Sequence, residues 1–314
     1  MMARFSGLAM GAVLATALSG CTTALAPPAD SVRPATVALS DPAPDAMRWL
    51  YASGEAAGVS IQTWRMIADY AEKVAAAPAP AASVPMGLPN AAGGTGTVSC
   101  RRADGSAKPL AMVFDVDETV ILNEGFEYHL ATGHPYDRTE WEAWERTGAG
   151  SVSPVPGAVT GIRRLRNAGV TPIFNTNRQY SPEGVAKAMA AAGLGEVVHR
   201  ETLFLRGDDG TSAGGKDGRR ALIAERFCVI GLAGDNLGDF ADIFNAEGRS
   251  VAERRDLSAR GDYARLWGNG WFALPNPVYG DSIKGTIEEV FPAARRWSPS
   301  IVPSDAPAIM NEGQ

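Results

Sequence analysis

Four short segments carry residue types that can do chemistry, and each follows an apolar run or opens a helix. Asp115-Val116-Asp117-Glu118-Thr119 comes straight after the apolar run Leu110–Phe114. Residues two apart in extended chain point to one side, so Asp115 and Asp117 converge on one ligand. Two such carboxylates suit a nucleophile with a proton donor, or a hard cation. Alone, an Asp-x-Asp also occurs in sugar-nucleotide transferases and in plain turns. Asn175-Thr176-Asn177-Arg178 offers a hydroxyl and main-chain N–H groups for phosphoryl oxygens; a loop with side-chain caps has the same look. Lys216 sits in Gly-Gly-Lys-Asp-Gly-Arg-Arg at a helix start, where a cation opposes the helix dipole unless an anion partners it. Gly234-Asp235-Asn236-Leu237-Gly238-Asp239-Phe240 places two acids four apart, which suits a magnesium site or a capped turn.

The elements that must position these groups alternate. After the strand at Leu110–Phe114, helical spacing runs over Ala158–Asn167 and closes at Gly169. A strand is expected at Val170–Phe174, a helix at Pro182–Ala192 and a short strand at Leu203–Leu205. A helix over Lys216–Arg226 and a strand at Phe227–Leu232 follow. Continuous apolar strands in βαβα order imply a buried parallel sheet with helices on both faces. The polar segments fall at the strands' carboxyl ends, where ligands bind in such sheets. Ahead of this core, residues 45–77 read as one helix with Trp49, Ile61, Trp64, Ile67 and Val74 on an apolar face; Pro78 and Pro80 end it. Residues 78–97 read as a loop.

Composition bounds the function. The 314 residues are 45% hydrophobic and 20% charged, enough for a sizeable core. The 35 Gly and 21 Pro fall short of the roughly quarter share that marks low complexity. A net charge of −6 gives no footprint for a nucleic-acid polymer. Three Cys make no disulfide framework, and three His leave few zinc ligands. At the start, Arg4 precedes an apolar run from Gly7 to Leu18, the length of a signal-peptide core and too short to span a bilayer. Leu18-Ser19-Gly20-Cys21 resembles a bacterial lipobox, which implies cleavage after residue 20 and lipidation of Cys21. An ordinary signal peptide with an incidental Cys is the alternative. Thr22, in place of Asp, leans toward the outer membrane. Residues 21–44, rich in Ala, Pro, Ser and Thr, read as a tether, and residues 299–314 as a tail.

Taken together and in order, the four segments resemble the haloacid dehalogenase-like superfamily of phosphotransferases. Finer detail is similar to the class C acid phosphatases, bacterial lipoproteins of which some act on 5′-nucleotides. That detail comprises Asn123 soon after Asp-Val-Asp-Glu-Thr, Pro154-Val155-Pro156-Gly157-Ala158, Thr176-Asn177-Arg178, Gly-Asp-Asn-Leu-Gly-Asp-Phe and Pro275-Asn276-Pro277-Val278-Tyr279-Gly280. Trp49 with Ser53 and Glu55, and Trp141 with Trp144, add to it. Leu122 departs from the Asp often found before that Asn, which bears on substrate preference. The resemblance implies an α/β fold: a Rossmann-like doubly wound parallel sheet with a small, mainly helical cap. The phosphatase domain would cover 45–298, its core about 98–119 and 156–292 and its cap 45–77 and 120–155.

The resemblance also implies roles. Asp115 is the nucleophile that forms an aspartyl phosphate, and Asp117 the acid and base. Mg²⁺ is held by Asp115, the Asp117 carbonyl and Asp235. Thr176 and the Asn177 N–H bind phosphoryl oxygens, Lys216 offsets charge, and Asp239 orients waters or Lys216. The product is an outer-membrane lipoprotein whose catalytic domain, periplasmic or surface-exposed, hydrolyses phosphomonoesters. The cap region carries Phe126, Tyr128, Tyr136, Trp141 and Trp144. Trp141, Trp144 and Tyr279 are candidates to stack on a base or aryl ring; filling the cap core is the alternative. A non-catalytic surface lipoprotein that carries a ligand such as haem is the competing class, although such a chain should have lost an Asp or the Lys. Cys100 and Cys228 are either bridged, if the chain is exported, or a separate thiol and a buried one.

Overall fold

The computed structural model describes residues 42–88 and 96–299, all within the unit Pro42–Gln314. The expectations for the signal segment, Cys21, most of the tether and nearly all of the tail lie outside the described residues.

The expected single helix over 45–77 is two, α1 (Asp45–Ala52) and α2 (Gly54–Ala75). Ser53 breaks it. Its backbone is extended, and its hydroxyl accepts the Ala56 N–H at 3.0 Å, an N-cap that begins α2 afresh. In α2, Trp64, Ile67, Ala68 and Ala71 repeat at helical spacing and are buried.

Five strands form one parallel sheet: β1 (Leu110–Phe114), then β4 (Thr171–Asn175), β5 (Leu203–Phe204), β6 (Cys228–Gly234) and β7 (Trp271–Ala273), in the spatial order β5-β4-β1-β6-β7. β2 (Ile121–Leu122) and β3 (Ser153–Pro154) pair antiparallel outside it. β1 lies at the centre, and its alternate side chains feed two cores. Met112 and Phe114 join Trp64, Ile162 and Val185; Ala111 and Val113 join Ile223, Phe240 and Trp271. Both faces of the sheet are therefore covered, as a doubly wound fold requires. On the first face α2 packs against α5 (Ala158–Asn167), and Trp64 stacks on Phe114 at 5.2 Å. The approach is close enough that a Cβ on Gly161 would lie 2.4 Å from the Trp64 ring. The second face is covered by α7 (Asp217–Arg226) and the segment after β6.

The hairpin β2–β3 is the neck of the inserted segment: Val155 N–H bonds the Val120 carbonyl at 3.0 Å, so the chain leaves and returns at one point. Between them lie α3 (Glu124–Ala131) and α4 (Arg138–Thr147). Helix α6 (Pro182–Ala191) packs against α4. Strand β7 escaped the sequence reading; three residues are too few for a period.

Cys100 and Cys228 are joined by a disulfide, with Cα atoms 4.6 Å apart at a sequence separation of 128. Parallel neighbours bring them together. Cys228 N–H bonds the Pro109 carbonyl at 2.9 Å, and Lys108 N–H turns back to the Cys100 carbonyl at 2.8 Å. Closing so long a loop restricts the unfolded chain by about 5 kcal/mol on the entropy model. The double variant Cys100→Ala/Cys228→Ala should lose up to that amount in urea unfolding. Thiol counting on denatured, non-reduced protein should find neither cysteine free, and two free thiols would refute the bridge.

Candidate active site

Three neighbouring strands end together. β1 delivers Asp115, β4 delivers Asn175-Thr176-Asn177-Arg178, and β6 delivers Gly234-Asp235. Lys216 arrives from the side as the residue before α7. The expected conflict with the helix dipole is resolved by Asp242, whose carboxylate accepts the Lys216 N–H at 2.7 Å and the Asp217 N–H at 3.0 Å. The Lys216 side chain is then turned inward. Its Nζ bonds the Asp115 carboxylate and, at 2.7 Å, Asp239 Oδ1. All three side chains are buried. Burial works against the ammonium, but Asp115 and Asp239 outweigh it and hold its proton more tightly than in water.

Asp235 completes the group. Thr119 Oγ1 donates to it at 3.2 Å and Asn276 Nδ2 at 2.7 Å. Burial, then the Asp239 charge, push its carboxyl to about 7. Burial likewise raises Asp115, with Lys216 pulling the other way and the acids around it adding to the rise. Asp115, Asp235 and Asp239 each place a carboxylate oxygen within 4.8 Å of the others. Crowded oxygen donors that resist sharing negative charge fit a hard divalent cation.

Asp117 faces a different way. Its carboxylate accepts Arg178 Nε at 2.9 Å and Nη2 at 2.8 Å, Asn123 Nδ2 at 2.9 Å and Thr176 Oγ1 at 3.3 Å. Burial would raise its pKa, but the Arg178 guanidinium, with both nitrogens on Oδ1, and the Asn123 bond outweigh burial and hold it below the usual carboxylate range. Thr176 also caps its own turn by accepting the Arg178 N–H at 3.0 Å. The Asn177 side chain is engaged by Arg219 at 2.6 Å, so its part in holding an anion falls to the main chain.

A cavity of about 1020 Å³ opens over these groups. Asp115, Asp117, Asn177, Lys216, Asp235 and Asp239 line its floor. Phe126, Glu127, Leu130, Tyr136 and Trp141 from the inserted segment, with Tyr279 opposite, are on its walls. Trp144, expected to meet substrate, is not among the lining residues. It lies behind the wall, its indole N–H donating to Asn123 Oδ1 at 3.3 Å. It packs so closely on Gly125 and Gly148 that a Cβ on either would clash with it. Trp141 is fixed by Glu145 through Nε1 at 2.8 Å, and the Arg178 guanidinium sits 5.5 Å from its ring centre. Glu145 also accepts the Tyr180 N–H at 2.7 Å, which ties α4 to the loop after β4. Tyr128, on α3, points to solvent.

Glu118 has no role in the sequence reading, yet it joins the most parts. Its backbone is left-handed, with φ 54°, which turns the side chain inward. It accepts the Asn123 N–H at 2.8 Å, Asn123 Nδ2 at 3.1 Å, the Tyr51 hydroxyl at 3.1 Å and the Tyr279 hydroxyl. One carboxylate thus fastens α1, the start of α3 and the Tyr279 loop to the end of β1. Tyr279 is a clamp residue as well as a wall residue.

The family model of the HAD superfamily, subfamily IIIB (Acid phosphatase), matches residues 95–282. Among solved structures, the class C acid phosphatase from Bacillus anthracis is similar at 22% identity and a TM-score of 0.58, over 76% of this chain and 84% of that one. The same protein with tungstate bound gives 22% identity, a TM-score of 0.55 and the same coverage. At that identity the likeness speaks for the fold. No curated protein matches the chain.

Glu127 on the cavity wall is buried, and burial raises its carboxyl from 4.5 to about 7. The neutral form is the one the fold favours. Its contribution is therefore intact below the unfolded value and is lost as pH rises through 7. Glu127→Gln should gain on the wild type by up to about 3 kcal/mol between about pH 4 and pH 8. Urea unfolding at the two pH values checks this; a constant difference would mean that Glu127 does not titrate in that range.

Proposed function

The chain belongs to the acid phosphatases of the HAD superfamily, subfamily IIIB, and from that membership we propose a magnesium-dependent enzyme of the bacterial envelope, in which Asp115 carries the phosphoryl group and 5′-nucleotides are among the substrates. It is a phosphoric monoester hydrolase, and the non-catalytic alternative is set aside. The observation that carries the proposal is the meeting of Asp115, Lys216, Asp239 and Asp235 on the floor of one cavity, with Asp117 and Thr176 beside them.

Asp115 attacks phosphorus, and the ester P–O bond breaks as the aspartyl phosphate forms. Lys216 spreads positive charge over nucleophile and phosphoryl oxygens, and it is already in place. The Thr176 hydroxyl and the Asn177 N–H hold other phosphoryl oxygens. The leaving oxygen takes a proton from Asp117. Because Arg178 keeps Asp117 ionised before substrate arrives, that proton enters with the substrate. A phosphate monoester retains one near its second pKa of about 6, so acid conditions favour the step. In the second half, Asp117 takes a proton from the water that attacks phosphorus, and Asp115 is released. Asp115 and Asp235, with the Asp117 carbonyl, would hold Mg²⁺, which supplies charge neutralisation for the phosphoryl group. Asp239 keeps Lys216 aimed at Asp115.

Tyr279 and Trp141 present rings on the cavity wall, each fixed through its polar atom, and such rings suit a base. The Cys100–Cys228 bridge favours an oxidising compartment, and the Leu18-Ser19-Gly20-Cys21 segment favours a lipid anchor there.

Asp115→Asn should lower turnover of nucleoside monophosphates by more than about a thousandfold while the fold is kept, since an amide is no nucleophile. Chelation should silence the wild type and Mg²⁺ restore it. Residual turnover within tenfold of wild type in Asp115→Asn would overturn the nucleophile assignment.

In a Gram-negative host, Cys21→Ser should move the protein from the membrane fraction to the soluble periplasm with activity kept. Retention in the membrane would refute the anchor.

A further inference from the structure

On the inserted segment, two of the chain's three histidines meet. His129 is in the last turn of α3. Gly133 then takes φ 96°, a left-handed turn that closes the helix. That turn swings His134 back until its ring stacks on His129 with centres 4.0 Å apart and planes 15° apart. Space does not require glycine there, since a Cβ would meet nothing within 4 Å; the turn does. Across from them, Glu140 on α4 places Oε2 2.9 Å from His129 Nε2. Ligand atoms of His129, His134 and Glu140 lie within 4.8 Å of one another.

We propose that His129, His134 and Glu140 bind a divalent transition-metal ion of the zinc class on the cap. The donor chemistry decides the ion. Two imidazoles and one carboxylate suit zinc and its neighbours, while magnesium and calcium prefer all-oxygen sets. The catalytic acids differ in kind, being three aspartates on the cavity floor. A cation would take the place of the His129–Glu140 hydrogen bond, the two rings turning out of their stack so that the in-plane lone pair of each meets it. His134 and Glu140 are exposed, so the ion has a path in and solvent can fill its remaining positions. Bound there, it would join the end of α3 to the first turn of α4. These are the two helices that supply Phe126, Leu130 and Trp141 to the cavity wall.

The test is zinc binding to the full chain, by equilibrium dialysis with zinc chloride in excess Mg²⁺ so that the oxygen site is occupied. Wild type and His134→Ala are compared, with His129→Ala as a second variant. Loss of an outer-shell partner costs about 10–100-fold in metal affinity, so loss of a ligand should exceed about 100-fold. Zinc absorption spectra of the wild type should then show imidazole nitrogen at about 2.0–2.1 Å. Equal zinc binding by wild type and both variants would overturn the site, and so would oxygen-only ligation. Because His134 is exposed, its variant should fold. The readout is binding, so it stands or falls apart from the phosphatase assay.

Discussion

One ammonium among buried acids is the constraint on which this structure depends. Asp115, Asp235 and Asp239 lie with carboxylate oxygens within 4.8 Å of one another, and all are poorly exposed. Unpaired charges in such a place would be driven to neutrality or would open the fold. Lys216 bridges Asp115 and Asp239, Thr119 and Asn276 hold Asp235, and Arg178 takes Asp117. Each partner comes from a different stretch of chain. The site can therefore assemble only when the sheet order is right, and charge compensation and fold specify one another.

The same logic fastens the roof. Glu118 and Glu145 are buried carboxylates that gather donors from separate elements. Neither touches the cavity floor. Burial, then the Asp117 charge, raises Glu118 to about 8, and the two Asn123 bonds pull the other way. Hydrogen bonds, rather than a large apolar interface, set where Tyr51, Asn123 and Tyr279 stand above the reacting groups. Of the wall aromatics, Trp141 and Tyr279 are held by such bonds, while Phe126 packs edge-on against Trp141.

Much of this was legible in the residues. The βαβα alternation gave the sheet, and polar segments at strand ends marked the floor, because strands of a parallel sheet end on one side. Helix α5 was read to the residue. The reading failed where a local signal had two outcomes. Ser53 sits in a helical pattern and acts as a cap. Trp144 and Trp141 look alike in sequence, three apart on one helix, yet one lines the cavity and the other packs behind it. Glu118 could not be found, since an acid between Asp117 and Thr119 passes for solvent-facing until its φ is known. Arg178 stood inside a recognised motif with no role, because its partner Asp117 is distant in sequence and only the pairing of β1 with β4 brings them together. Three histidines were read as leaving few zinc ligands; a count is blind to the turn at Gly133 that brings two of them together.

The bridge between Cys100 and Cys228 has a topological side. The covalent ring it closes runs through the insert, Asp115, Arg178 and Lys216, while Asp235 and Asp239 lie just beyond it. A protease that nicks an exposed loop anywhere between the two cysteines opens the ring without releasing a fragment. The nicked chain would travel as one molecule under non-reducing conditions, with β1 and β6 still side by side. For an enzyme read as living outside the cytoplasm, damage to the roof need not part the two strands that carry the floor.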